Sequence, residues 1–161
     1  MTFPHKTLIF VLLFSYSISK MAKKYTQTVI PIVEDTQFAQ MTMGELKKYV
    51  TQYFVENLKD KQVRNENKNI VIFLPKSGLK HITNSTNTGY IRLKAITIMD
   101  KMIQYAEYTN FKEPDEDDGK NILGYLHFKS KVNIEAKTYT FRIVVRLITT
   151  GKFYYDHSVK L

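Results

Sequence analysis

Three of the four histidines stand where they could do chemistry: His127 in "GYLHFKSK", His157 in "FYYDHSV" and His81 in "LPKSGLKHIT". Imidazole changes charge near neutral pH, so it serves as general acid and as general base. Strand alternation around His127 puts Tyr125, His127 and Lys129 on one face and Leu126 and Phe128 on the other. The next segment alternates as well. Tyr139, Phe141, Ile143, Val145 and Leu147 form one side, and Thr140, Arg142, Val144 and Arg146 the other.

A turn centred on Glu135-Ala136 pairs His127 with Val144 and Lys129 with Arg142, which agrees with the apolar pattern. A second turn at Thr150-Gly151, with glycine supplying φ > 0, sets His157 opposite Val144 and Tyr155 opposite Arg146. That register turns Asp156 and Ser158 toward the core. A three-residue loop with a bulge would present Tyr154, Asp156 and Ser158 instead. We take the first register.

Two histidines, two arginines and tyrosines on one face suit metal-independent cleavage of an RNA phosphodiester. One group removes the 2′-OH proton, a second protonates the leaving 5′-oxygen, and cations stabilise the phosphorane. Tyrosines can stack on unpaired bases. Catalysis is assigned to His81, His127, His157 and Arg142. Substrate contacts are assigned to Lys80, Lys129, Arg146, Tyr125 and Tyr155. His81 and Lys80 follow a strand and a glycine-containing loop and precede the second helix, where free N–H groups attract phosphate. The plain alternative is an ordinary solvated strand face and a surface-loop histidine. No P-loop, GxSxG, HExxH or GxGxxG element is present, and no cofactor is expected.

The elements that must position these residues follow from periodicity. "QTVIPIV" (27–33) reads as an edge strand because of Pro31. Thr42 with Glu45 is a capping box, followed by Leu46, Val50, Tyr53, Phe54 and Leu58 at helical spacing. "NIVIFL" (69–74) reads as a buried strand ended by Pro75, and "PKSGLKHITNSTNTG" as a turn-rich connection. A second helix is predicted over about 91–110, then strands near 123–132, 138–148 and 152–159. The order argues an α+β fold.

At 161 residues with 43% hydrophobic content, one domain can bury an ordinary core. Cysteine is absent, which removes disulfides, thiolate metal sites and a cysteine nucleophile. The net charge of +9 suits a polyanionic partner, RNA before membrane. The acidic run "EPDEDDG" (113–119) lacks the spaced ligands of an EF-hand and reads as a solvated loop. "TLIFVLLFSYSIS" has signal-peptide length, yet "MAKKYTQTV" from Met21 looks like an ordinary start. Residues 1–20 are therefore either a signal peptide or an over-extended start, and the domain is 21–161. It is cytoplasmic if translation begins at Met21, and secreted or periplasmic if the signal is real. Losing Lys6 and Lys20 takes the domain from +9 to +7, and no stable membrane association is expected of it.

"GYLHFKSKVNIEAKTYTFRIVVRL" followed by "GKFYYDHSV" resembles the C-terminal half of nuclease-like domains from phages and other mobile elements. These belong to the barnase–EndoU–colicin–RelE-like superfamily, which includes domains of large polyvalent proteins. The resemblance runs from about Tyr25 to the end. It is most specific at Gly124-Tyr125, Phe128-Lys129, Lys137, Arg142 and Gly151 to Tyr155. It implies N-terminal helices packed on a four-stranded antiparallel sheet whose other face is open to RNA. It also implies metal-independent ribonuclease activity of toxin type, with an immunity or antitoxin protein as a further partner. Carry-over holds in kind only: a basic or histidine residue near Lys80-His81, and polar residues at His127, Arg142 and His157. Many such domains have no demonstrated activity, so the alternative is a catalytically inactive module that binds nucleic acid or a partner.

Overall fold

The computed structural model describes residues 29–34, 36–83 and 89–161, with the backbone alone for 81–83. The segment 1–20, expected to be a leader or an over-extended start, lies outside the described residues. In chain order the elements are β1 (Ile32–Val33), α1 (Met43–Tyr53) running into a π-helical turn (Phe54–Leu58), β2 (Gln62–Asn65) and β3 (Ile70–Phe73). Next come α2 (Lys76–Thr83), α3 (Tyr90–Ile96), α4 (Met99–Tyr105), β4 (Glu107–Lys112), β5 (Ile122–Ile134), β6 (Lys137–Ile148) and β7 (Phe153–Lys160).

The strands form one seven-stranded sheet in the order β1-β5-β6-β7-β3-β2, with β4 also on β5. β4 and β1 share the free edge of β5: β4 takes Tyr125 to Lys129 and β1 takes Asn133 and Ile134. Pairing is mixed, since β1 on β5 and β3 on β7 are parallel and the rest antiparallel. The expected α+β arrangement of N-terminal helices on a four-stranded antiparallel sheet is thereby overturned. The sheet is larger, mixed and curled into a half-barrel, with few helices beside it. The difference comes from short strands that polar residues disguised.

β2 is one of them. Val63 and Asn65 point into the core, and Asn65 Nδ2 donates to the carbonyls of Ile103 (2.7 Å) and Ala106 (2.9 Å). This satisfies acceptors left over at the end of α4. β4 is the other. The helix predicted over 91–110 breaks at Thr97-Ile98 and ends at Tyr105, after which "EYTNFK" pairs with β5. The connection read as turn-rich holds α2, whose Leu79 is buried.

Local signals at the start of α1 held. Glu45 N–H donates to Thr42 Oγ1 (3.3 Å), and Thr42 N–H donates back to Glu45 Oε2 (2.8 Å), which closes the capping box. Behind it Leu46, Val50, Phe54 and Leu58 join Leu93, Ile96, Met99 and Met102 against Leu126, Phe128, Phe141 and Val145 of the sheet. Asparagine and glycine usually occupy the two-residue turn that joins β5 to β6. Here Glu135 (φ 53°) and Ala136 (φ 58°) adopt that left-handed backbone. The buried Lys94 of α3 pairs with the Glu135 carboxylate and ties the strained turn to the helix layer.

Helix α2 lies against the core side of β7 at very close range. A Cβ on Gly78 would come within 2.6 Å of the Tyr155 ring. Gly78→Ala should therefore destabilise by roughly 1–3 kcal/mol through overpacking. Ala136→Gly should stabilise by up to about 1 kcal/mol by relieving the left-handed alanine. Urea denaturation of both variants checks the pair, and shifts of the same sign would contradict it.

Candidate nucleic-acid cleft

The face of the sheet turned away from the helices is organised in rows. Following register partners across six strands, one row reads Lys112, Tyr125, Arg146, Tyr154, Phe73 and Gln62. The next reads Asn110, His127, Val144 and His157, and the third Glu107, Lys129, Arg142 and Val159. Neighbouring strands lie ~4.8 Å apart, so the backbones of His127 and His157, one strand either side of Val144, are about 10 Å apart.

A cleft of about 410 Å³ sits over this row, lined by His127, His157, Arg142, Tyr125, Val144, Asp156, Lys112 and Asp115. Val144 faces the polar side yet is 4% exposed, so the side chains around it leave an apolar floor. Charges standing on such a floor interact more strongly than on an open surface.

A bulge in β7 decides which side chains reach the cleft. The β6–β7 hairpin closes with Ile148 N–H donating to Lys152 O (3.1 Å), a three-residue loop with Gly151 at φ 78°. This sets Tyr154 opposite Arg146 and Tyr155 opposite Val145; the register then shifts by one residue, and His157 faces Val144. Neither register drawn from the sequence is right alone. The loop is that of the second, the bulge restores His157 to the position given by the first, and Asp156 comes out beside it.

Tyr155, expected to contact substrate, is instead fully buried, and its hydroxyl donates to Ser158 Oγ (3.1 Å). Burial pushes its phenol far above the ordinary value.

The two cleft histidines have different surroundings. His157 Nδ1 lies 2.7 Å from Asp156 Oδ2. An ionised carboxylate only accepts, so Nδ1 carries the proton and Nε2 is left for other work. Asp156 also faces Arg146, with Nη1 to Oδ1 at 4.0 Å. His127 is held below the usual imidazole range, first by burial and then by the positive charges of Arg142, His157 and Lys112. Tyr125 donates its hydroxyl to Asp118 Oδ1 (2.6 Å) and is pushed up to about 12, first by burial and then by that bond. The same bond holds the Asp118 carboxyl below its ordinary range. Among the described residues no three His, Asp or Glu side chains converge so as to hold a metal ion.

Of the residues singled out in the sequence, His127, His157, Arg142 and Tyr125 share the cleft, Arg146 stands in the adjoining row, and Lys129 pairs with Arg142. Lys80 and His81 belong to α2, on the core side of β7, so the fold does not bring their helix to this face. Lys112, Asp115 and Asp118 were missed, and Asp156 came to this face only in the register not taken. The loop read as merely solvated folds back onto the cleft, where Lys112 Nζ meets Asp115 Oδ2 at 2.7 Å. The adjacency "DH" at 156–157 was the available signal for Asp156; nothing local signalled the loop.

Among the described residues no helix is long and apolar enough to cross a membrane. Comparison with curated proteins gave no match, and comparison with solved structures gave none either. The family described as large polyvalent protein-associated domain 3 matches residues 41–155, which takes in α1, the cleft strands β4 to β6 and β7 as far as Tyr155. With most of its length matched, the chain belongs to the large polyvalent protein-associated domain 3 family.

Proposed function

We propose that this domain cleaves RNA without a metal, by attack of the ribose 2′-oxygen on the adjacent phosphorus. The observation that carries the reading is a pair of histidines in unlike environments on opposite sides of one cleft. His127, kept neutral by burial and nearby cations, takes the 2′-OH proton. His157, with Nδ1 held by Asp156, donates a proton from Nε2 to the departing 5′-oxygen. The new bond joins the 2′-oxygen to phosphorus and the broken one frees the 5′-oxygen. The products are a 2′,3′-cyclic phosphate and a 5′-hydroxyl. Arg142 and Lys112 at the cleft wall stabilise the extra charge on the phosphorane. A toxin-like role, with an immunity protein that covers the cleft, fits this activity.

The alternative is a module that binds RNA and does not cut it. The observation favouring it is the reach of the basic face beyond the cleft, where Lys129 and Lys131 are exposed next to the cleft residue Arg142. Purified protein incubated with RNA in EDTA separates the two. Cyclic-phosphate ends support cleavage, whereas intact but retained RNA supports binding alone.

His127→Ala and His157→Ala should each lower the cleavage rate about a hundredfold or more while leaving the thermal midpoint nearly unmoved. His81→Ala should cut close to the wild-type rate, since its helix lies on the other side of the sheet. Wild-type rates for both removed histidines would sink the acid–base assignment.

The rate should trace a bell against pH. A base must be unprotonated, so the acid limb follows His127, and that limb lies below the ordinary imidazole value. Arg142→Ala removes a positive neighbour that lowers it, so the limb should move toward higher pH. A limb that stays in place would detach His127 from the acid side of the profile.

A further inference from the structure

The row beside the histidines continues past Arg146 into two aromatic residues that the proposed chemistry does not use. Tyr154 of β7 and Phe73 of β3 are register partners, with ring centroids 5.4 Å apart and planes tilted by 33°. Both are half-buried, yet neither is among the partly buried residues that pack against the core. Their rings therefore lie on the outer face, next to the exposed Val71. Lys152 Nζ stands 5.6 Å from the centre of the Phe73 ring. On the other side Arg146 is paired with Tyr154, and its Nη1 reaches Asp156 only at 4.0 Å. The arrangement is an aromatic platform with a cation at each end, continuous with the cleft.

We infer that Tyr154 and Phe73 form a stacking subsite for an unpaired nucleobase of single-stranded RNA, one nucleotide removed from the phosphate in the cleft. This rests on the RNA reading above and makes the substrate class single-stranded. The sheet spacing supports it. Tyr154 is two strands from Tyr125 and one row from His157 on the same strand, so a chain whose phosphate lies at the histidine row can lay its neighbouring base across β7 and β3. Every base has a π-face, so the platform supplies affinity with little sequence preference. Arg146 and Lys152 fit the phosphates flanking that base. An unpaired base is required because a paired one hides both its faces in the helical stack.

The test uses a short 2′-O-methyl oligoribonucleotide carrying one 2-aminopurine, in EDTA, since the blocked 2′-oxygen prevents cleavage. Binding to the wild-type protein and to Tyr154→Phe should quench the 2-aminopurine emission. Tyr154→Leu keeps apolar bulk but loses the ring. It should abolish the quench and weaken binding about tenfold, with the slope of affinity against salt unchanged because no phosphate contact is lost. Annealing the probe to its complement should remove the dependence on Tyr154. If Tyr154→Leu unfolds in a thermal melt, Phe73→Leu carries the same expectation. Wild-type quench and affinity in the folded variants would overturn the subsite, even where RNA cleavage persists. A Tyr154-dependent quench in a protein that leaves natural RNA intact would keep the subsite and remove the catalytic reading. No binding by the wild type would remove both.

Discussion

One extra residue in β7 governs how the open face is built. In an uninterrupted strand side chains alternate, so Tyr154, Asp156 and Ser158 would share one side, and Tyr155 and His157 the other. The register shift opposite Val144 and Val145 breaks that parity. Tyr155 then fills the core beneath Gly78, Ser158 receives its hydroxyl, and Asp156 and His157 both reach the cleft. A bulge sacrifices ladder bonds and bends the strand, and such features concentrate beside functional sites. Here the shift brings a carboxylate and an imidazole together at 2.7 Å, which consecutive residues of a regular strand do not achieve.

The bulge works only because the strands around it are pinned from elsewhere. At one end of β5 and β6 the turn at Glu135-Ala136 holds two left-handed residues, and the buried ammonium of Lys94 engages Glu135. Lys94 is buried whereas Glu135 is half exposed, so removing Glu135 would leave a buried ammonium uncompensated, and the contact ties the hairpin to α3. At the other end β4 lies along β5 through Tyr125 to Lys129, and Thr109 Oγ1 donates to the His127 carbonyl (3.0 Å). His127 therefore stands on a strand paired on both edges. Its depressed basicity depends on that rigidity, because burial is the leading cause.

Legibility in the sequence followed how local the determining interaction was. The capping box at Thr42 and Glu45 and the β5–β6 register are set within a few residues, and both were readable. A bulge beside the loop was one of the two readings of β7, but its place between Tyr155 and His157 was not readable, since an inserted residue has no local signature and both registers kept a plausible pattern. β4 was hidden because the apolar stripe from Leu93 to Ala106 runs straight toward it, and only pairing with β5 shows where the helix stops. β2 was hidden because its inward Asn65 is polar. That residue is buried to bond two carbonyls 38 and 41 residues away, which no periodicity argument anticipates. The resemblance to nuclease-like domains implied a four-stranded sheet, and the mixed pairing of β1, β2 and β3 departs from it.

The acidic loop gives the basic face a counterweight. Lys112 and Asp115 are both largely exposed, and such a pair contributes only about 0–1 kcal/mol. The Tyr125 hydroxyl bond to Asp118 is shorter at 2.6 Å and partly buried, and it holds the loop more firmly. The two contacts thus differ in what a polyanion entering the cleft would meet. A phosphate can compete for Lys112 at little cost, because the exposed ion pair is already screened by water and salt. Reaching the Tyr125 hydroxyl is different. A phosphate would have to displace the Asp118 carboxylate, itself a charged acceptor in a short, partly buried bond, so the exchange gains little. The cation is therefore available and the tyrosine is not. Tyr125 belongs to the wall of the cleft, holding the acidic loop at its rim, while Lys112, in its exposed and exchangeable ion pair, and the exposed Arg142 can meet charge from outside.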